Sequence, residues 1–300
     1  MDKTALWSLM FEVLQVLGRC YGPEMDRAAV ELKLPGRYGW LLSAWTFDPE
    51  SVSASQLRVR SPYNSARLYD SQLVEAAGQG FLAPVSGLEN AYGLTALGRQ
   101  AAERVVGAAY AKMAALQPMP AVEMDRLAEL LHRLVMACLA APEPPGKWCI
   151  AHSRRNAPED DTSAMIQIDQ YLSDLAAYRD DAHLATWQPL GVEGYGWEVF
   201  TFIWREEAGT LDELCQKLEH RGYSREEYKR VLEDLIARGW VKEKAGSYFL
   251  TPRGQEVRQE AEEATNHYFY KPWSCLSHEE TETLQALLAL LCDGLQPRID

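Results

Sequence analysis

Three hundred residues, 47% of them apolar, are enough for about two domains with cores of their own. A formal net charge of −13 excludes an indiscriminate nucleic-acid binder, and no apolar run approaches the ~18 residues of a membrane span. The charge is uneven: residues 1–141 carry 13 basic against 14 acidic side chains, and the remainder carries 17 against 29.

Taken in chain order, residues 4–17 predict one helix, and MDRAAVELKL predicts a second that Pro35-Gly36 stops. Asp2 and Glu12 and the lack of a small-residue cleavage site argue against a signal peptide. Six scattered cysteines without a C-x-x-C point to reduced thiols in a cytoplasm. Trp40 to Phe47 form a dense apolar stretch. VSASQLRVR and SPYNSARLYDSQLVEAAGQG then read as two short helices, with Ser61 as an N-cap, Pro62 at the first helical position, and Gly80 at the left-handed stop. A Gly-aromatic strand, a turn and a second strand ending in Leu-Thr-x-x-Gly (Leu94 to Gly98) close the unit. RQAAERVVGAAYAKMAAL predicts a long helix, and AVEMDRLAELLHRLVMACLA another with Leu127, Leu130, Leu131 and Leu134 on one face.

APEPPGKW cannot continue a helix, and HSRRNAPEDD extends it as a polar connection. From Thr162 a helical period places Ile166, Tyr171, Leu175 and Tyr178 on one approximate face. The earlier unit then returns. GWEVFTFIW mirrors GWLLSAWTF at an offset of 157 residues, and Thr210 opens LDELCQKLEHRG. Ser224 with Glu227 makes an S-x-x-E capping box ahead of a helix carrying Val231, Leu232, Leu235 and Ile236, and Gly239 matches Gly80. A second Leu-Thr-x-x-Gly ends at Gly254, and Leu284, Leu287, Leu288 and Leu291 repeat the earlier leucines, again 157 residues on. The two Leu-Thr-x-x-Gly ends differ by 156, one residue being gained or lost in the wing. One register over so long a span predicts an internal duplication. Its units are 1–141 and 162–300, joined by a linker at 142–161.

Helix, helix-turn-helix, wing, Leu-Thr-x-x-Gly, long helix and final helix, in that order, resemble the MarR family of winged-helix regulators, once per half. The resemblance implies a mainly α fold with small β wings: tandem winged helix-turn-helix repeats sharing a helical layer, a single-chain version of the MarR-like homodimer. It implies duplex DNA as partner, with the second helix of each motif (Tyr63 to Ala77 and Arg225 to Arg238) in the major groove. The candidate contacts are Arg58, Arg60, Tyr63, Asn64, Ser65 and Arg67 in the first motif. In the second they are Lys217, Arg221, Ser224, Arg225, Lys229 and Arg230, with Lys242 and Lys244 on the wing. For each of these a solvated helix face is the alternative.

Two departures bear on affinity. MarR-like wings carry an Asp-x-Arg pair that neither wing here has, and residues 211–236 hold 5 basic against 7 acidic side chains. DNA binding is therefore expected to be led by the first half, with a shallow salt dependence. MarR-like proteins also bind small aromatic or lipophilic effectors where winged and helical parts meet, which makes Trp40, Trp45, Trp197 and Phe202 candidates, against plain core packing. Asp180, Asp181 and His183 suggest a metal or acid/base site or, more simply, an exposed polar helix end. Cys20, Cys149 and Cys275 are redox-sensor candidates without a basic neighbour to activate them. No phosphate loop, nucleophile elbow or zinc spacing appears, so neither an enzyme nor a cofactor is expected. The expected function is a cytoplasmic transcriptional regulator. The alternative is a winged-helix scaffold that has lost DNA binding and senses a small molecule or meets a basic protein partner through its acidic half.

Overall fold

The computed structural model describes residues 3–159 and 162–296, so Asp2 and the last two residues of HSRRNAPEDD lie outside it. Helix α1 runs without a break over Lys3–Glu31, through Pro23. This corrects the expectation of two helices. A proline inside a helix costs about 3 kcal/mol. Burial of Leu6, Met10, Val13, Val16, Leu17, Cys20 and Met25 along the same helix offsets it.

Helices α2 (Gly39–Phe47), α3 (Ala54–Arg60) and α4 (Ala66–Gly78) follow, then strands β1 (Leu82–Pro84) and β2 (Tyr92–Leu94). The strands pair antiparallel, and an isolated bridge from Val52 to Tyr92 ties the start of α3 to the wing. Helix α4 begins later than Ser61-Pro62 suggested. Its N-cap is Ser65, whose side chain accepts from the Leu68 N–H, and residues 61–64 form the turn. Helices α5 (Ala96–Ala114), α6 (Ala121–Ala140) and the short α7 (Trp148–Ser153) complete the first part.

The second part is α8 (Ala164–Trp187), α9 (Gly194–Trp204), α10 (Leu211–Lys217), α11 (Arg225–Ala237), the antiparallel pair β3 (Val241–Lys244) and β4 (Ser247–Leu250), α12 (Pro252–Tyr270) and α13 (His278–Leu295). Helices α10, α11 and α13 each start with a complete capping box, on Thr210, Ser224 and Ser277.

The two Leu-Thr-x-x-Gly sequences have one structural explanation. Thr95 caps α5 by accepting from the Gly98 N–H at 3.0 Å, and its hydroxyl donates to the Gly80 carbonyl at 2.7 Å. Thr251 does the same for α12, accepting from Gly254 at 3.0 Å and donating to Gly239 at 2.6 Å. A Cβ on Gly98 would stand 2.2 Å from the Phe81 carbonyl oxygen, and one on Gly254 would stand 2.1 Å from that of Trp240. The threonine starts the long helix, and the glycine lets that helix lie directly on the backbone at the start of the wing.

Helix α8 lies at the centre, packed by α1, α5, α6, α7 and α12. Of the predicted face Ile166, Leu175 and Tyr178 are buried and Tyr171 is half-buried, but Met165, Ile168, Leu172, Ala182 and Trp187 are buried too, so the helix is covered on more than one side. Its acids are used internally. Asp181 accepts from the N–H groups of Cys149 and Ile150 at 2.7 and 2.9 Å and so holds the start of α7. Asp174 accepts from Ser153, Arg154 and Gln170. The expected exposed polar end at 180–183 is thus corrected: Asp181 is buried mid-helix. Across the two parts, α6 packs on α8, α13 packs on α1, and α6 touches α13. Among the described residues no helix is long and apolar enough to cross a membrane.

Candidate nucleic-acid interface and the adjoining cavity

The turns that lead into α4 and α11 meet head to head. The Ser65 N–H donates to the Arg221 carbonyl at 2.9 Å, and Ser65 is 3% exposed. Arg221 holds the joint together. Its Nε lies 3.0 and 3.1 Å from the two carboxylate oxygens of Glu198 on α9, its Nη1 donates to Asn64 Oδ1 at 2.9 Å, and its guanidinium sits over the Tyr63 ring. The Tyr223 hydroxyl donates to the Asn64 carbonyl at 3.1 Å. Glycine is required at the contact. Gly222 has φ +74°, and a Cβ there would meet Ser65 Oγ at 2.7 Å. Gly194 faces the Pro62 carbonyl, which a Cβ would approach to 2.4 Å. The late start of α4 follows, because the N–H of its capping residue is bonded to the other motif.

The remaining arginines of the first motif also turn toward the second part. Arg67 donates to Glu227 at 2.7 Å and to the Gly222 carbonyl at 3.2 Å. Arg60 donates to Asp180 at 3.0 Å. Arg58 lies against the Tyr223 hydroxyl, and its Nε is buried without a partner. In the second motif Arg225 pairs with Asp212 and Lys229 with Glu233, while Arg230 bonds the Glu226 carbonyl. Ser224 is occupied as the cap of α11. Lys217, Lys242 and Lys244 are exposed.

Of the four aromatic effector candidates, Trp40 and Trp197 belong to the core. The Trp40 indole N–H donates to the Pro35 carbonyl. That of Trp197 donates to His183 Nε2, and burial holds the imidazole neutral, its pKa lowered to about 3. Phe202 is half-buried against the core. Trp45 borders an open cavity of about 1050 Å³ lined by residues of α1, α2, α3, α5, α7 and α8. Sequence reasoning missed most of this wall. Tyr21, Tyr110, Trp148, His152 and Asp169 line it from helices outside the tryptophan-rich stretches. The one signal for it was an aspartate, Asp169, between the buried Ile168 and the half-buried Tyr171. His152 stacks on Trp148 with ring centroids 4.5 Å apart, and burial, then the Arg155 and Arg60 charges, lower its pKa to about 4. Among the described residues no cluster of three His, Cys, Asp or Glu side chains is arranged to hold a metal.

Two short helices, a wing and a capped long helix, all present twice, are helix-turn-helix architecture. A helix-turn-helix family model matches residues 67–298, which takes in α4 from its first turn and every later element through α13. The chain belongs to the helix-turn-helix family. The motif of that family is a DNA-binding one. No curated protein and no solved structure matches this helix-turn-helix chain.

Proposed function

We propose that this is a cytoplasmic, ligand-responsive DNA-binding regulator, built by internal duplication as a single-chain counterpart of a MarR-like dimer. Units 1–141 and 162–300 stand for the two subunits, and 142–161 joins them. The twice-built Thr–Gly cap supports the duplication, as do the reciprocal packings of α6 on α8 and α13 on α1.

The observation that carries the regulatory reading is the bond between Ser65 and Arg221. Reading two successive major grooves requires recognition helices about 34–36 Å apart. Here their leading turns touch, and Tyr63, Asn64, Ser65 and Arg67 are spent on the second motif. The described arrangement is a closed one, and DNA is engaged only when the motifs part. Arg60 and Tyr63 also line the cavity, which makes it the place where a small molecule would bias that opening.

The test is retention of duplex DNA from the region upstream of its own gene at low salt, by the native chain and by Gly222→Ala. The added methyl presses on Ser65 Oγ without changing charge. The variant is expected to retain the duplex more tightly, with a steeper salt dependence. If neither protein retains it, the regulator reading fails. The second reading, a winged-helix ligand sensor without DNA binding, then stands. It is favoured by one observation: Arg60, Arg67, Arg221, Arg225 and Lys229 are each paired with a carboxylate of the same chain.

A further inference from the structure

The cavity of about 1050 Å³ is large enough for a drug-sized molecule. Much of its wall is ring surface, supplied by Tyr21, Trp45, Tyr110, Trp148 and the neutral His152. Its charges are not balanced. Arg60 and Asp180 neutralise one another, Glu159 is exposed at the rim, and Asp169 has no cation against it. Asp169 Oδ1 is buried and has no hydrogen-bond partner. The Tyr21 hydroxyl is the group that bonds this carboxyl, and burial outweighs it, pushing the pKa up to about 7. A carboxylate aimed into an aromatic-walled space disfavours anions, and it stabilises a cation whose apolar body can lie on the ring faces.

We propose that this cavity binds a lipophilic cation, a protonated amine or similar group carried on an aromatic or apolar body, with Asp169 as its counter-ion. The inference rests on the ligand-responsive reading and gives its ligand a chemical class. Asp169 sets the sign of the charge, the ring faces hold the flat body, and the Arg60–Asp180 pair in the same wall connects occupancy to the turn that contacts Arg221.

Calorimetric titration of the full chain tests it with two pairs of probes matched in skeleton and opposite in charge: rhodamine 6G against fluorescein, and tryptamine against indole-3-acetate. At least one cation is expected to bind saturably, and its anionic counterpart at least tenfold more weakly. Asp169→Asn is expected to lower cation affinity at least tenfold while still unfolding cooperatively. Ser43→Phe, which narrows the cavity from α2 and leaves Asp169 intact, is expected to block the larger dye. The proposal is overturned if no cation binds, if the anions bind as tightly as the cations, or if either variant binds the cations as the native chain does. Its failure is separable from that of the regulator reading: cation binding without DNA retention sinks only the regulator, and DNA retention with anion-selective binding sinks only the cation.

Discussion

Where α2 meets α5 in the first half, Ser43 and Met113 border a cavity, whereas Phe200 and Phe269, 157 and 156 residues further on, are fully buried, Phe200 against Trp197 and Trp240 and Phe269 against Trp7 and Tyr178. The same substitution of bulk for space recurs nearby. Ala102 corresponds to Arg258, which is 1% exposed and lies between the rings of Trp197 and Trp204, 4.6 Å from each. Trp187 stacks on Trp197 at 5.7 Å to extend that block. One junction is a solid aromatic and cationic core, and the other keeps room for a guest. If the two halves are copies, as proposed above, the one that packs tightly can support the one that does not.

The sharpest way to break that comparison is to exchange the bulk. Phe200→Ser empties a fully buried site and is expected to cost about 3–5 kcal/mol in urea unfolding. Ser43→Phe places a ring into existing space and is expected to cost no more than about 1 kcal/mol. Equal costs would mean that the two junctions are packed alike.

The acids on α1 and α8 sharpen it further. Glu12, 157 residues before Asp169 and its counterpart in the proposed duplication, is exposed. Burial raises the Asp169 carboxyl from 3.8 to about 7, so between those values the folded chain holds a proton that the unfolded chain has released. Stability from this group is fully present below pH 3.8 and is lost as pH rises toward 7. Asp169→Asn should therefore leave the thermal midpoint nearly unchanged at pH 4 and raise stability at pH 8, by at most about 4 kcal/mol at ~1.4 kcal/mol per pKa unit. Glu12→Gln should do neither. A midpoint for Asp169→Asn that is unchanged at both pH values would show that the carboxyl is solvated.

The parts of the fold governed by short-range hydrogen bonding were legible in the sequence. The capping box at Ser224, the left-handed stops at Gly80 and Gly239, and the length of α6 each depend on a few neighbouring residues. Misreadings came where a distant partner decides. The stretch from Gly18 to Glu24, which holds Pro23, falls between two predicted helices until the burial of α1 is known. Ser61-Pro62 is a plausible helix start, but the bond from Ser65 to Arg221 moves the start four residues on. Trp40, Trp45, Trp197 and Phe202 look equivalent as letters, and only three-dimensional packing places Trp45 at the cavity and Trp40 and Trp197 in the core. The acid excess of the second half suggested a basic partner. Part of that partner is the first half itself, since Arg60, Arg67 and Arg133 are paired with Asp180, Glu227 and Glu280.

The ion pairs that meet at the joint between the motifs differ in burial, one within the second half and one across the halves, and the smallest predicted effects follow from the difference. The Arg221 side chain is 22% exposed and that of its partner Glu198 is 13% exposed, while the Arg67 side chain is 66% exposed. Arg221→Ala removes a two-pronged ion pair and a hydrogen bond to Asn64, and strands a largely buried carboxylate. It is expected to cost about 2 kcal/mol. In Arg67→Ala the partner Glu227, itself only 18% exposed, keeps its bond to the Ser224 N–H, and the lost partner is a mostly exposed arginine, so the expected cost is smaller, at most about 1 kcal/mol. Hydrogen exchange can locate the difference. Arg221→Ala should speed exchange at the Ser65 amide, whose acceptor is the carbonyl of the altered residue, and Arg67→Ala should not. If the two variants loosen that amide equally, the exposed pair is as much a part of the lock as the buried one, and opening of the motifs would depend on ionic strength and not on the cavity beside them.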